Sequence, residues 1–180
     1  MGDRNTLNLT FRKATTADAL CIAVLGMQVF LDTYATEGIR DALAREVLES
    51  FSAPAISALI ARVDTTFLVA EVNGHLIGFA HLTTHTFHPM VGDPQAAELK
   101  RLYVQERFTG FGIGWQLLLR VEAEAASQSA SMLWATVWVG DERALRFYPR
   151  QGYVHVGAPT YEFQGETHEN HLYRKVLLNS

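Results

Sequence analysis

This 180-residue sequence has a single cysteine, no net positive charge and few long apolar runs. A single cysteine, Cys21, excludes a disulfide within the chain, and its place in an apolar helical pattern predicts a buried structural thiol. The formal net charge of −4 provides no broad basic surface, which argues against nucleic acid as the main ligand. We see no apolar run near the ~20 residues of a membrane span. Residues 1–5 lack the apolar stretch of a secretory signal, so we expect a cytoplasmic protein that does not bind membranes.

The length and composition predict one domain over residues 1–180. In the first half, the most specific local signal is Asn73-Gly74 between two apolar strands, which indicates a β-hairpin. The first helix shows apolar residues at intervals of three and four, which predict one buried stripe made of Leu20, Ala23, Val24, Met27, Phe30 and Leu31. The predicted elements are a strand (7–12), helices (17–34, 39–50 and 55–62) and two strands (66–72 and 75–82).

The second half predicts a strand-helix-strand unit. Strands at 97–104 and 132–138 flank a helix over 112–127, and this arrangement implies parallel pairing with a right-handed crossover. Asp141 can cap a further helix, which Pro149 should kink or end near Tyr148. Closing antiparallel strands are predicted at 153–156, 161–163 and 171–177.

A glycine-dense turn at residues 109–115 opens the long helix and predicts an anion cradle. Glycine backbone can adopt conformations closed to other residues, and the first turn of a helix presents unpaired N–H groups and a positive dipole end. A Walker loop is excluded, because Gly112 is followed by Ile113 and Gly114 rather than by Lys and Ser or Thr. A dinucleotide-binding site is excluded as well, because Gly110, Gly112 and Gly114 do not have the spacing of the Gly-x-Gly-x-x-Gly pattern.

The cradle and a second motif downstream carry a resemblance to a known family. The segments are Leu102-Tyr-Val104, Thr109-Gly-Phe-Gly-Ile-Gly114, Leu117-Leu118, Asp141-Glu-Arg-Ala-Leu-Arg-Phe-Tyr148 and Gly152-Tyr153. In this order and spacing they resemble the GCN5-related N-acetyltransferase (GNAT) family, whose members transfer an acyl group from acetyl-CoA to an amine. The opening helices, the Asn-Gly hairpin and the tail with Gly165 also look like the members that acetylate polyamines and other small amines.

The resemblance implies an α/β (α+β) fold, with a mixed, mostly antiparallel central sheet of about seven strands and a parallel βαβ core unit flanked by helices. It implies acetyl-CoA as cosubstrate, no metal, a small-molecule amine as acceptor, and the pairing through C-terminal strands by which family members often form homodimers. The implied CoA-binding residues are Leu102, Tyr103, Val104, Thr109, Gly110, Phe111, Gly112, Ile113, Gly114, Trp115, Asp141 and Tyr148.

Two of these residues depart from the family pattern. Thr109 replaces the usual Gln or Arg; because the cradle acts mainly through backbone amides, we expect this to weaken CoA binding by only ~1 kcal/mol. Asp141 replaces the usual Asn, and a helix N-cap explains it at least as well as a ligand role does.

The resemblance also assigns the catalytic roles. It makes Glu98 a base that acts through water, although a solvated carboxylate at a strand edge is the alternative. Some members place a glutamate at the position of Thr136, and threonine cannot act as a base. Tyr148 matches the family's proton-donating tyrosine, and a buried core tyrosine is the alternative.

The acceptor site is less defined by the sequence. Phe30, Tyr34, Glu37 and His85 are candidates for shaping it, although core packing explains the aromatic residues equally well. Acidic residues in the tail either attract a cationic amine or form a solvated loop: Glu162, Glu166 and Glu169. The histidines near the central strand have no cysteine or carboxylate in ligand spacing, so we expect no metal at His81, His85 and His88.

Four functions therefore compete. The first is an N-acetyltransferase that acts on a small amine. The second is a CoA-binding regulatory module that has lost catalysis, which the departures at Thr109 and Asp141 suggest. The third is an acetyltransferase of protein or peptide N-termini, and the fourth is a nucleotide-binding regulator.

Overall fold

The computed structural model describes residues 8–177 and builds them around one eight-stranded sheet. The strand order is β1-β2-β3-β4-β5-β8-β6, and β7 pairs with the first part of β8. Only β4 and β5 are parallel; all other neighbours are antiparallel. The strands are β1 (Leu9–Lys13), β2 (Thr65–Val72), β3 (His75–Thr83), β4 (Ala97–Val104), β5 (Met132–Trp138), β6 (Val154–Gly157), β7 (Thr160–Phe163) and β8 (Glu166–Val176).

This architecture confirms the predicted mixed, mostly antiparallel sheet with a parallel βαβ unit. The described sheet has eight strands, against the about seven that the resemblance implied, and each of the eight strands predicted from the sequence is present. The last strand, β8, begins at Glu166 rather than at 171, and its early part pairs with β7. The Asn73-Gly74 hairpin is confirmed, with φ of 51° and 79° at the two turn residues. The predicted first strand begins at Leu7, which lies outside the described residues.

Within residues 8–177, five α-helices cover the two faces of the sheet. Helices α1, α2 and α3 pack on one face, around a cluster that includes Phe51, Phe67 and Phe79. Helices α4 and α5 pack on the other face, around a second cluster. The helices are α1 (Ala19–Tyr34), α2 (Asp41–Ser50), α3 (Ala53–Ile60), α4 (Ile113–Ser127) and α5 (Glu142–Arg150), with short 3-10 turns at Thr16–Asp18 and Glu106–Phe108.

Helix α1 turns a different face to the core than its apolar spacing predicted. Leu20 and Val24 are 65% and 57% exposed, and Cys21 is exposed, so the predictions of a buried stripe through 20 and 24 and of a buried thiol were wrong. The buried residues are Ala19, Ile22, Ala23, Leu25, Gly26 and Phe30. Because the helix is apolar nearly all round, the period alone did not fix its rotation. Close packing fixes it: a Cβ on Gly26 would lie 2.4 Å from Phe51 Cδ1.

The same helix is apolar over a greater length than we expected from the sequence. Residues Thr16–Tyr34 form 19 helical residues with a hydropathy of 1.4, which is long and apolar enough to cross a membrane by length and composition alone. Helices that pack in the core of a protein can have the same length and composition. Here Phe30 and the other buried residues of α1 contribute to the core beneath the sheet.

Helix α5 continues two residues past the predicted end. Asp141 Oδ1 accepts a hydrogen bond from the Ala144 amide at 3.0 Å and so caps the helix. Pro149 lies in the last turn, and the helix runs to Arg150 before Gly152, at φ 86°, ends it. The helix therefore passes Pro149 instead of ending at Tyr148; the proline lacks an N–H for the Leu145 carbonyl, and only one residue of the helix follows it.

A buried histidine in β3 makes stability depend on pH. His81 is 1% exposed, and its ring stacks on Phe67 with centroids 4.3 Å apart. Burial, with the positive charge of Arg101 as the next cause, lowers its pKa to about 3. In the unfolded chain the imidazole takes up a proton below its usual pKa of ~6.5, whereas in the folded chain it stays neutral until pH approaches 3. Stability should therefore fall as pH decreases through this window, by up to ~1.4 kcal/mol per pH unit.

We expect the loss of stability between pH 7 and pH 5 to be ~2 kcal/mol smaller in His81→Phe than in the unsubstituted chain, because the substitution removes this titration. Urea unfolding at the two pH values measures the difference. His75→Gln changes an exposed histidine at the other end of β3 and should keep the original pH dependence. Equal pH dependence in all three proteins would contradict the assignment.

Candidate active site

A slot opens in the middle of the sheet, between β4 and β5. The two strands pair only at Ala97 with Leu133 and at Glu98 with Trp134. Beyond these positions β4 continues to Val104 while paired with β3, and β5 continues to Trp138 while paired with β8. The facing edges of β4 and β5 therefore separate after Glu98, and the backbone of residues 102–104 borders the gap.

The glycine cradle lies at the start of α4, directly after β4 and its 3-10 turn. Gly110 and Gly112 have φ of 83° and 78°, in the left-handed region that glycine favours, and Gly112 is the N-cap of the helix. Among the described residues, no backbone or side-chain acceptor takes a hydrogen bond from the amides of residues 110–115. The first turn thus presents free N–H groups and the positive end of the helix dipole, as the sequence predicted.

The cradle has room for an anion at its rim. A Cβ added to Gly114 would touch only Val104 Cγ2, at 3.9 Å, so the fold itself does not require glycine there. The absence of a side chain leaves the helix end open to a ligand. Phe111 and Trp115 are exposed on either side. These features fit a pyrophosphate group of the kind that CoA carries.

Thr109 and Asp141, the two departures from the family pattern, both have structural roles. The Thr109 hydroxyl donates to the Glu106 carbonyl at 2.7 Å and closes the turn before the cradle. Asp141 caps α5 on the other side of the slot. Glu106 and Arg143 form a bidentate ion pair, with both N–O distances at 2.9 Å, which ties the turn after β4 to the start of α5.

Tyr148 lies near the end of α5 and packs in the cluster on the α4 and α5 face of the sheet. Its ring is 6% exposed, stacks on Tyr173 and meets Tyr153 edge-on. Burial, followed by the nearby charges of Asp141 and Tyr103, raises the pKa of the Tyr148 hydroxyl above its ordinary value. Tyr103 belongs to the cluster on the opposite face of the sheet, so the Tyr148 hydroxyl is influenced by a group from each face. It stays protonated at neutral pH and can donate a hydrogen bond.

Glu98 lies where the slot begins. Its side chain is 14% exposed, and Lys100 Nζ lies 3.2 Å from its Oε2. In the β-ladder it stands opposite Thr83 on one side and Trp134 on the other. The carboxylate therefore projects from the face that α1, α2 and α3 cover, whereas Tyr148 approaches from the α4 and α5 side.

A cavity of about 320 Å³ lies on the α1 side, near the end of β5. The predicted residues Tyr34 and Glu37 line it, and Phe30 packs behind Tyr34 with centroids 4.5 Å apart. His85 lies in the loop after β3, exposed and with φ of 54°, and does not line this cavity. The lining residues are Tyr34, Thr36, Glu37, Gly38, Ile39, Arg40, Leu43, Trp138, Phe163 and His168.

The acidic tail is mostly engaged in local contacts. Glu166 forms an ion pair with Arg40 and lies 3.4 Å from His168 Nε2. Glu162 accepts a hydrogen bond from Thr167 at 3.3 Å, and Glu169 is exposed. Among residues 8–177, no three His, Cys, Asp or Glu side chains come together as a possible metal-binding group.

Sequence reasoning missed Trp138, which forms a wall of the cavity. The indole lies flat over Gly140, where a Cβ would come within 2.3 Å of its Cη2, and Tyr34 packs on it with centroids 5.1 Å apart. A glycine two residues after a tryptophan at a strand end was the available signal. Phe163, which also lines the cavity, was missed as well. So was the half-buried Arg101, which does not line it, and no local pattern marks either residue.

Comparison with known proteins agrees with this geometry. A model of the acetyltransferase (GNAT) family matches residues 36–153. An uncharacterized N-acetyltransferase of Lactobacillus delbrueckii subsp. lactis is 23% identical over 154 residues, which are 86% of this chain and 89% of that protein. An uncharacterized N-acetyltransferase of Mycobacterium bovis is 33% identical over 103 residues, which are 57% of this chain and 61% of the relative.

The fold also matches solved structures. The PaiA N-acetyltransferase of Thermoplasma acidophilum, crystallised in complex with coenzyme A, superposes with a TM-score of 0.76 at 21% identity, over 94% of this chain and 99% of that one. The family match covers the cradle, the slot and the helix that carries Tyr148. It confirms the predicted family and class of enzyme: the chain belongs to the GNAT family of acetyl-CoA-dependent N-acetyltransferases.

Proposed function

We propose that this protein transfers the acetyl group of acetyl-CoA to a primary amine of a small molecule, with Glu98 as base and Tyr148 as acid. The observation that carries the proposal is the divergence of β4 and β5 after Glu98, beside the glycine cradle and the Tyr148 hydroxyl. A thioester that passes through such a slot reaches groups on both faces of the sheet.

The cradle and the slot divide the binding of the cosubstrate between them. The free amides of residues 110–115 would hold the pyrophosphate. The unpaired edge of residues 102–104 would offer backbone hydrogen bonds to the extended pantetheine arm. When bound, acetyl-CoA supplies an activated acetyl carbonyl and a thiolate leaving group.

Glu98 would prepare the nucleophile. An alkylamine with a pKa of ~10.4 is mostly protonated at neutral pH, which withholds the free amine by roughly 4–5 kcal/mol. The Glu98 carboxylate, at the start of the slot and on the acceptor face, is placed to take this proton through a water molecule.

Tyr148 would stabilise the leaving group. Because burial raises its pKa, the phenol is a weak acid that stays protonated until negative charge develops on sulfur. Its main contribution is then a hydrogen bond to sulfur that strengthens in the transition state as negative charge develops there.

The cavity favours a small acceptor. Its volume of about 320 Å³ is at the low end for ligand sites, and the α1–α2 connection at residues 36–40 forms one side of it. A protein N-terminus would need an open groove for the following residues, so a small molecule fits this site better than a peptide.

Release of free CoA tests the proposal. The protein is incubated with acetyl-CoA and a panel of polyamines, amino acids, aminoglycosides and N-terminal peptides, and free thiol is measured. Release with small amines would support the proposal. Release with peptides alone would favour the N-terminal acetyltransferase, and tight CoA binding without release would favour the regulatory module.

A cytoplasmic location and a homodimer stay predictions. Strand β6, with Val154 exposed, lies at the sheet edge where two copies would pair.

A further inference from the structure

Arg101 stands on the acceptor face of the central strand, beside Glu98. A β-bulge at Lys100 places Arg101 opposite His81 and Leu99 opposite Leu82. Glu98 stands opposite Thr83, and His81 and Thr83 share one face of β3, with His81 Nε2 3.5 Å from Thr83 Oγ1. The bulge thus brings Glu98 and Arg101 to the same face, about 7 Å apart along the strand.

The Arg101 guanidinium is half-buried without an anionic partner. It lies 4.6 Å over the centroid of Phe51, and its Nη1 lies 3.4 Å from His81 Nδ1. His81 is neutral at physiological pH, so it does not balance the positive charge of Arg101. In the part of the chain that the structure describes, no carboxylate oxygen lies within 4.0 Å of this guanidinium. Most of its five N–H donors are left to a ligand or to water.

The positive charge of Arg101 affects the pKa values of two tyrosines, Tyr34 and Tyr103. Burial raises the pKa of the Tyr103 hydroxyl, and the positive charge of Arg101 opposes that rise. The same charge bears on the hydroxyl of Tyr34, whose ring lines the acceptor cavity. Phe51, over which the guanidinium lies, packs on Phe30 with centroids 5.8 Å apart, and Phe30 packs on Tyr34. Arg101 is thus close to the aromatic residues that back the cavity, although it does not line the cavity itself.

We propose that Arg101 binds a carboxylate of the acceptor, so that the substrate is a free α-amino acid with an apolar or aromatic side chain. This inference rests on the proposed function. A guanidinium pairs with a carboxylate through two parallel hydrogen bonds, and its planar fork fits that group. With the carboxylate at Arg101 and the amine at Glu98, the two groups of the acceptor are only a short distance apart, as in an α-amino acid.

The cavity supplies the site for the side chain. Tyr34, Trp138, Phe163 and Leu43 form apolar walls. The one arginine that lines the cavity within residues 8–177, Arg40, is already paired with Glu166, with Nη2 2.7 Å from Oε2. Arg101, on the same face of β4 as Glu98, has no carboxylate partner among the described residues, and the aromatic walls are left for an apolar group.

Phenylalanine and phenethylamine test the proposal, because they differ only in the carboxylate. We expect the ratio of their kcat/KM values to fall about 10- to 100-fold in Arg101→Met, which removes the hydrogen bonds to a charged group. Comparing ratios cancels the difference in intrinsic amine reactivity. Arg150→Met removes an exposed arginine at the end of α5 and should leave the ratio unchanged. Arg101→Lys keeps the positive charge but not the planar guanidinium, so it should give an intermediate ratio. If Arg101→Met does not fold, Arg101→Lys takes its place in the comparison.

A binding measurement separates this inference from the proposed function. N-acetylphenylalanine should bind the unsubstituted protein at least 10-fold more tightly than it binds Arg101→Met in calorimetry, whereas N-acetylphenylalaninamide should show no such difference. If this holds while no amine is acetylated, the proposed function fails and the carboxylate site stands. If amines are acetylated but neither ratio responds to Arg101, or if 1,4-diaminobutane is preferred to every amino acid, the inference is wrong and the proposed function stands.

Discussion

Replacing Tyr148 with phenylalanine should lower turnover about 100- to 1,000-fold while CoA binding stays within about threefold of the original. The substitution removes one hydroxyl from the slot and keeps the ring, which stacks on Tyr173 and meets Tyr153 edge-on. Loss of one donor that acts on developing negative charge has effects of this size in other enzymes. Steady-state release of CoA measures turnover, and calorimetry with CoA measures binding.

The matched control is Tyr153→Phe, the same chemical change five residues along the chain. The Tyr153 hydroxyl donates to Glu122 Oε1 at 2.9 Å, on the far side of the ring cluster from the slot. We expect this variant to lose ~1–2 kcal/mol of stability and to keep turnover within about twofold. Equal turnover in Tyr148→Phe and in the unsubstituted protein would remove Tyr148 from the mechanism and restore its interpretation as a core residue.

Local signals predicted the parts of the site that one segment can build. The cradle depends on Gly110 and Gly112 in the left-handed region, and glycine at a strand-to-helix turn indicates this directly. The bounds of β4 and β5 were predicted to the residue. β5 is a near-continuous apolar run, whereas β4 carries Glu98, Lys100 and Arg101 between its apolar residues. Parallel pairing of these two strands followed from the helix between them.

The acceptor cavity could not be predicted in the same way, because it forms from segments distant in the chain. Tyr34 ends α1, Trp138 ends β5, and Phe163 lies in β7; only the tertiary fold brings them together. The position of Arg101 depends on a bulge that shifts the face of the following residues, and no residue type in the strand specifies that bulge. The rotation of α1 depended on the contact between Gly26 and Phe51.

Replacing Glu98 with glutamine should lower kcat/KM about 100-fold or more at pH 7, and the deficit should shrink as pH rises. The base is needed because a protonated amine must lose its proton before it attacks the carbonyl. Below the amine pKa of ~10.4 the free-amine fraction increases tenfold with each pH unit, so the variant should gain rate steeply with pH. The measurement is kcat/KM from pH 6 to pH 10 for both proteins.

Glu124→Gln is a closely matched control for this experiment. Glu124 is 15% exposed, against 14% for Glu98, and it is also paired with a lysine, with its Oε1 2.8 Å from Lys13 Nζ. It lies near the end of α4, away from the slot, so its loss should affect stability but not the pH profile of turnover. If Glu98 served only to hold Lys100 and the strand edge, Glu98→Gln would reduce the rate by one factor at every pH. A deficit that disappears at high pH is therefore the result that identifies the Glu98 carboxylate as the base.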